Sequence, residues 1–190
     1  MTADARLTVE AFSLSHAAIL DGTTGAEETD GDLYGVSEAS FEPNFDQFEN
    51  QGDDVVLSIW DWMTYADVRI EGGYIPFKMI ALLTGEVVTS SGVNPDDYYE
   101  IEPWTDRGMN VAPKPMLIRM PSKDVDGNVR TLDAVLYKVN FAPIGFTGPR
   151  YKDGLRINYS GRALLSANDE AGIDLGGYRS IGRLISKPSS

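Results

Sequence analysis

Apolar and polar residues alternate with a period of two along most of this 190-residue chain, the pattern of strands that bury one face. In residues 33–42, Leu33, Gly35, Ser37, Ala39 and Phe41 fall on one face, and Tyr34, Val36, Glu38, Ser40 and Glu42 on the other. Pro43 is expected to end that run, because it cannot donate to a ladder. Residues 55–62 (VVLSIWDW) are β-branched and aromatic, which predicts a strand. Residues 64–71 set Ala66, Val68 and Ile70 against Asp67, Arg69 and Glu71, and Gly72-Gly73 stops them. Residues 86–91 and 116–122 read as further strands. Asp126-Gly127 is a tight-turn signal. After it, Val135, Tyr137, Val139 and Phe141 alternate with Leu132, Ala134, Leu136 and Lys138. Residues 155–165 place Leu155, Ile157, Tyr159, Ala163 and Leu165 inward, with Arg156, Asn158, Ser160 and Arg162 outward.

Helical spacing occurs once. Pro76 suits a first helical position, Phe77, Ile80, Ala81 and Thr84 form a stripe, and Gly85 suits the position just past the end. Two turns are not stable alone in water, so this helix must pack on the sheet. The segments between strands are polar or proline-rich. Leu14–Leu20 is apolar and reads as an arm or a first strand, and the acidic stretch Asp21–Asp32 reads as a linker. Residues 44–54 are acidic but hold Phe45 and Phe48, and residues 93–115 carry four prolines. The division expected is an N-terminal arm or linker at 1–32, a β domain at 33–167 and a C-terminal arm at 168–190. The fold class expected is mainly β: a sandwich or partly closed barrel with one short flanking helix, extended arms and a long hairpin loop.

Charge adds a polarity to this outline. The net charge is −13. Residues 1–100 hold 20 acidic residues against 3 basic, a net of −17, and residues 101–190 hold 9 against 13, a net of +4. Opposite faces of this kind steer copies head to tail; the alternative is two solvated faces that neutralise each other within one domain. The acidic total argues against tight nucleic-acid binding, which depends on lysine and arginine at phosphates. No apolar run approaches the roughly 20 residues of a membrane-spanning helix, and Met1–Glu10 lacks the pattern of a secretory signal. The chain has no cysteine, so disulfides and thiolate metal sites are excluded.

The residues offer little chemistry. The single histidine, His16, lies in an apolar stretch and has no evident nucleophile to serve. It reads as a structural residue, and the histidine and cysteine count is too low for a usual metal site. Asp124-Val125-Asp126-Gly127-Asn128 matches part of a calcium loop but lacks its closing glutamate and flanking helices, so a hairpin turn is expected. The adjacent acids Glu27-Glu28, Asp53-Asp54 and Asp96-Asp97 read as solvated. No glycine loop of the phosphate-cradling kind is present. Trp60, Trp62 and Trp104 suit core or interface positions, with sugar stacking as the alternative. The expectation is a protein that is not an enzyme, with no cofactor and no metal.

One block adds more. From Tyr34 to Gly92 the chain runs YGVSEASFEPNFDQFENQGDDVVLSIWDWMTYADVRIEGGYIPFKMIALLTGEVVTSSG. It resembles the major tail tube proteins of siphophages, particularly those of phages that infect actinobacteria. The likeness lies in the YGVSEASFEP strand, the acidic loop ending in Gly-Asp-Asp, the strand with paired tryptophans, and the Gly-Gly-Tyr-Ile-Pro-Phe lead into a helix closing with Leu-Thr-Gly-Glu. It covers about a third of the chain.

The resemblance implies a β-sandwich that forms hexameric rings, in which long hairpins join into one inner barrel and the rings stack through an extended loop and the arms. It implies a virion (tail) protein made in the host cytoplasm. Its partners would be further copies of itself, the tape measure protein, the tail terminator and distal tail proteins, and genomic double-stranded DNA passing through without tight binding; no membrane is involved. The stacking loop implied carries Phe45, Asp46, Phe48, Glu49, Asp53 and Asp54. Glu38, Ser40, Glu42, Asp67 and Glu71 are the candidate lumen-facing residues. Other virion ring or decoration proteins, such as a terminator or connector, and a carbohydrate-binding β-sandwich are the alternatives.

Overall fold

The computed structural model describes residues 9–11, 14–33, 35–52, 55–73, 77–93, 96–102, 112–142, 145–150 and 154–188; of these, the side chains at 9–11, 48–52, 55–62, 145–150 and 154–156 lie outside the description. Among the described residues the chain is mainly β with one α-helix. In order, its elements are β1 (Val9–Ala11), β2 (His16–Leu20), β3 (Glu27–Asp32), β4 (Val36–Gly52), β5 (Val55–Gly72), α1 (Phe77–Thr84), β6 (Thr89–Ser91) and β7 (Tyr98–Glu100). They continue with β8 (Lys114–Asp124), β9 (Val129–Phe141), β10 (Gly145–Arg150), β11 (Gly154–Leu164) and β12 (Gly182–Pro188). Ten strands form one antiparallel sheet with the main order β3-β2-β8-β9-β11-β5-β4; β1 extends β2's edge on β8, β10 pairs with β11, and β12 pairs with β9. No ladder joins β3 to β4 among the described residues, so a closed barrel is not seen there. β6 and β7 form a separate small hairpin.

The larger of two buried clusters lies on one face of the sheet. Ala17 and Ile19 of β2, Met116 and Ile118 of β8, Ile157, Tyr159 and Ala163 of β11, and Ala66, Val68 and Ile70 of β5 share a single buried cluster. The inward positions expected for β5 and β11 are thus met wherever their side chains are described. Helix α1 closes the core with Met79, Ile80 and Leu83, and Thr84 is buried beside them. The stripe sits one position round from the expected one, because Phe77 remains 36% exposed. Gly85 ends the helix as its sequence predicts, with φ of 75° and its N–H donating to the Ala81 carbonyl at 2.8 Å.

Three expectations are corrected by pairing that local pattern does not contain. Pro43 does not end a strand: β4 runs through it, with Pro43 opposite Ala66. The strand is terminal in the sheet, where a missing N–H costs no ladder bond. Residues 55–62 and 64–71 are one strand, with a register irregularity where Asn44 faces Tyr65 and Phe45 faces Met63. The extra residue lies at Thr64 and reverses the alternation there. In β9, Lys114 faces Val139 and Met116 faces Leu136, so an extra residue near Tyr137 splits the face read as continuous. Leu136, Val139 and Phe141 enter the main core. Val135 and Tyr137 instead join Leu20 and Leu117 in a second cluster on the opposite face, with Leu175 and Ile185 packed on it.

Strands near both ends of the chain pair into the sheet. Ala17, Ala18, Ile19 and Leu20 are buried, and β3 pairs with β2, so residues 16–32 belong to the sheet. The acidic stretch is held by cations from elsewhere: Glu28 by Lys114 at 2.8 Å, Asp30 by Lys78 at 3.2 Å, and Glu27 by Arg119 at 3.5 Å. At the other end β12 pairs with β9 from Gly182↔Leu136 to Pro188↔Arg130, and Ile181 is 2% exposed. Asp124 accepts from the backbone N–H groups of Asp126 and Asn128 and from the Asn128 amide, the hairpin turn expected there.

A charged row crosses the face opposite the main core. His16 stands opposite Arg119, and Arg119 opposite Asp133. Asp133 is 3% exposed and is bound by Arg119 Nε at 2.9 Å and Lys187 Nζ at 2.7 Å. Burial pushes its pKa up, but the hydrogen bonds and charges of Arg119 and Lys187 outweigh this and hold it below the ordinary 3.8. The sign follows: the folded carboxyl ionises at lower pH than the unfolded one. Its contribution is therefore complete above the ordinary value and is lost as pH falls through the folded one. Asp133→Asn is expected to cost about 3 kcal/mol at pH 7, the lower end for breaking a buried pair, since Arg119 and Lys187 keep access to water. Thermal melts of both proteins should converge as pH is lowered below 3.8; a gap unchanged with pH would remove the electrostatic account.

Candidate functional site

The hairpin of β4 and β5 is the longest feature of the fold, at 17 and 18 residues. Its base is part of the sheet, because β11 pairs with β5 from Gly72↔Ile157 to Tyr65↔Leu164. Beyond Tyr65, β5 pairs only with β4 among the described residues. The part from Phe45 to Gly52 spans roughly 25 Å at about 3.3 Å per residue. The sequence there reads as a loop because it is acidic and lacks clean alternation. It forms a ladder all the same, with Asp46 opposite Trp62, Phe48 opposite Trp60 and Glu49 opposite Ile59.

The base presents two unlike faces. Toward the core lie Ala39 and Phe41, opposite Ile70 and Val68. On the other face the five residues read from the sequence as one set do come together: Glu38 stands opposite Glu71, Ser40 opposite Arg69, and Glu42 opposite Asp67. Asn158, Ser160 and Arg162 of β11 continue the same rows beyond Glu71, Arg69 and Asp67. Asp67 is the best held of the acids. Asn44 Nδ2 donates to it at 3.1 Å, and Arg162 Nε lies 3.5 Å away. The Arg162 guanidinium also stands 4.6 Å from the Tyr65 ring centroid, within cation–π reach. Glu38 and Glu42 are exposed. The face is therefore polar, with an acidic excess of Glu38, Glu42, Asp67 and Glu71 over Arg69 and Arg162. A shallow depression of about 430 Å³ lies on it beside Asp67, Arg69, Ser160 and Arg162.

The core-side face of the hairpin does not end where the core ends. Phe41 is 42% exposed and Phe45, beyond Pro43 on the same face at the Met63 rung, is 61% exposed. Asp46 is exposed beside it. Of the remaining stacking candidates, Phe48 and Glu49 have described backbones only, and Asp53 and Asp54 lie outside the described residues. So do the side chains of Trp60 and Trp62 and all of Trp104. Sequence reasoning missed Arg69, Arg162, Asn44 and Tyr65 as members of the polar face. Alternation places each on an outward side of its own strand, but only the pairing of β11 with β5 brings those sides together. Among the described residues no helix is long and apolar enough to cross a membrane. No known family model matches the chain, and no curated protein matches it well enough to count as a relative.

Proposed function

We propose that this chain is a self-assembling structural subunit of the kind its likeness to siphophage major tail tube proteins implies. The single observation that carries the reading is the β4–β5 hairpin, whose outer half has only two strands among the described residues and bears Phe45 at 61% exposure. A two-stranded ribbon is marginal in water. A terminal strand with open hydrogen-bonding groups and an uncovered aromatic invites completion by another chain. Copies of the same chain meet both needs in a ring: the ribbon gains neighbours, and the sheet loses its edges.

In that assembly the polar face of Glu38, Ser40, Glu42, Asp67 and Glu71 lines a water-filled channel, and the core-side face is covered by protein. An acidic lining with few cations suits a conduit for DNA, since each lysine or arginine at a phosphate would add a sticking point. The Phe45 segment docks on the next ring. The tape measure protein, tail terminator and distal tail proteins are the further partners of this reading, and the virion tail its location.

The test is negative-stain microscopy of concentrated protein, alone and with a nucleating tape measure protein. Rings or hollow tubes are the expected result. Protein that stays dispersed under every nucleating condition would overturn the proposal.

A further inference from the structure

The chain's one imidazole and two carboxylates converge at the β2–β3 edge, away from the hairpin. The convergence has a backbone cause. β2 and β3 are in register at Ala18↔Asp32 and again at Leu20↔Glu27, so two steps along β2 are matched by five along β3. The surplus folds into a bulge, and Gly31 makes it possible: a Cβ there would stand 2.7 Å from the Ile19 carbonyl oxygen and 2.9 Å from the Glu28 Cβ. In a regular strand, residues five apart lie about 17 Å apart and point to opposite faces. Here Glu27 and Asp32 return to one point. His16 Nε2 is 3.1 Å from Glu27 Oε2 and 3.6 Å from Asp32 Oδ1, and the three donor atoms all lie within 4.8 Å of one another.

We propose that His16, Glu27 and Asp32 form a binding site for a divalent transition-metal cation, with zinc as the best match. Three features favour this over a plain ion-pair cluster. The donor set is one nitrogen and two oxygens, which suits zinc and its neighbours and does not suit calcium, a cation that takes oxygen ligands. The two separations at His16, 3.1 and 3.6 Å, also bracket the roughly 3.3–3.4 Å between ligand atoms that stand about 2.0–2.1 Å from a tetrahedral zinc. Finally, the surroundings hold the carboxylate without blocking it. Arg119 Nη1 lies 3.5 Å from Glu27 Oε1, the oxygen turned away from His16, so Oε2 stays available to the metal. The charge of Arg119 is largely engaged by Asp133 on its other side, at 2.9 Å.

The side chains of His16, Glu27 and Asp32 are 27%, 38% and 34% exposed, which leaves a fourth position for water. A bound ion replaces the His16–Glu27 hydrogen bond and ties terminal strand β3 to β2 at the edge of the sheet. The site stands apart from the assembly reading and does not depend on it.

His16 is the only histidine, so the unaltered protein carries its own reporter. Untagged full-length protein is stripped with a chelator and titrated with zinc chloride at neutral pH while the imidazole resonances are followed by NMR. The expected result is displacement of the single imidazole signal, saturating at one equivalent of zinc, with no movement at equal concentrations of calcium chloride. By calorimetry, His16→Ala and Asp32→Asn should each weaken zinc binding at least about tenfold, the smallest loss usual even for residues behind the ligands. Zinc should raise the melting temperature of the parent more than that of either variant. An imidazole signal unmoved at one equivalent, or a His16→Ala protein that binds zinc as tightly as the parent, would overturn the site.

Discussion

In the assembly proposed above, Phe45→Asp is expected to abolish polymer formation while leaving a folded monomer. Phe45 is 61% exposed, so within one chain it has little burial to lose. A charge at an exposed strand position costs the monomer about 1 kcal/mol at most. Between chains the balance differs. A buried aromatic anchor at an interface is worth about 2–4 kcal/mol when truncated, and aspartate would add the cost of an unpaired charge placed in an apolar contact. Each 1.4 kcal/mol is about tenfold in association, and the loss recurs at every copy around a ring. Microscopy should therefore show no tubes, while circular dichroism and the thermal melt stay close to the parent. Two outcomes would sink the assignment of this segment to assembly: tubes that persist, or a monomer that unfolds. In the second case Phe45 would belong to a core of its own chain.

The contrast between what could and could not be read in advance has a simple physical form. Features set by neighbours in sequence were legible. Gly85 ends α1 because only a residue tolerant of positive φ fits there, and Asp124 through Asn128 make a turn from their own side chains. Face membership was legible along the regular stretches of β4 and β5, which is why Glu38, Ser40, Glu42, Asp67 and Glu71 do share one side of the β4–β5 ladder. Features set by the partner strand were not. The extra residues near Thr64 and Tyr137 exist only relative to β4 and β8, and each reverses the alternation that a single strand displays. Asp21–Asp32 read as a linker because the cations that hold it, Lys78, Lys114 and Arg119, lie some 50 to 90 positions further along. The same blindness hid the His16 cluster: a histidine and two acids spaced at 16, 27 and 32 mean nothing until a bulge folds them together.

Gly182→Ala is expected to be the most damaging single substitution in the sheet. A Cβ at Gly182 would stand 2.1 Å from the Val135 carbonyl oxygen and 3.0 Å from the Leu136 Cα. Both obstacles are backbone of β9, the strand that β12 pairs with, so neither can swing aside as a side chain would. Overpacking in a core costs about 1–3 kcal/mol when side chains can adjust; here the ladder itself must part, and at least about 3 kcal/mol is expected. For a chain of this size that lowers the melting temperature by roughly 10 °C.

The other glycines give an internal scale. Gly161→Ala meets the Asn140 carbonyl oxygen at 2.7 Å and should cost less. Gly127→Ala, with φ of 82° but nothing within 4 Å, should cost only the strain of about 1 kcal/mol. The order Gly182, Gly161, Gly127 in thermal melts is the measurement, and a Gly182→Ala protein as stable as the parent would mean that β12 does not lie against β9. The consequence reaches beyond stability. Releasing β12 uncovers the β9 edge from Arg130 to Leu136 and frees Ile181, which is 2% exposed in the intact fold. A bare central edge beside an opened core accepts strands without regard to register. Under the proposed function, Gly182→Ala should therefore turn ordered self-assembly into irregular aggregation, whereas Phe45→Asp should stop assembly and leave the chain dispersed.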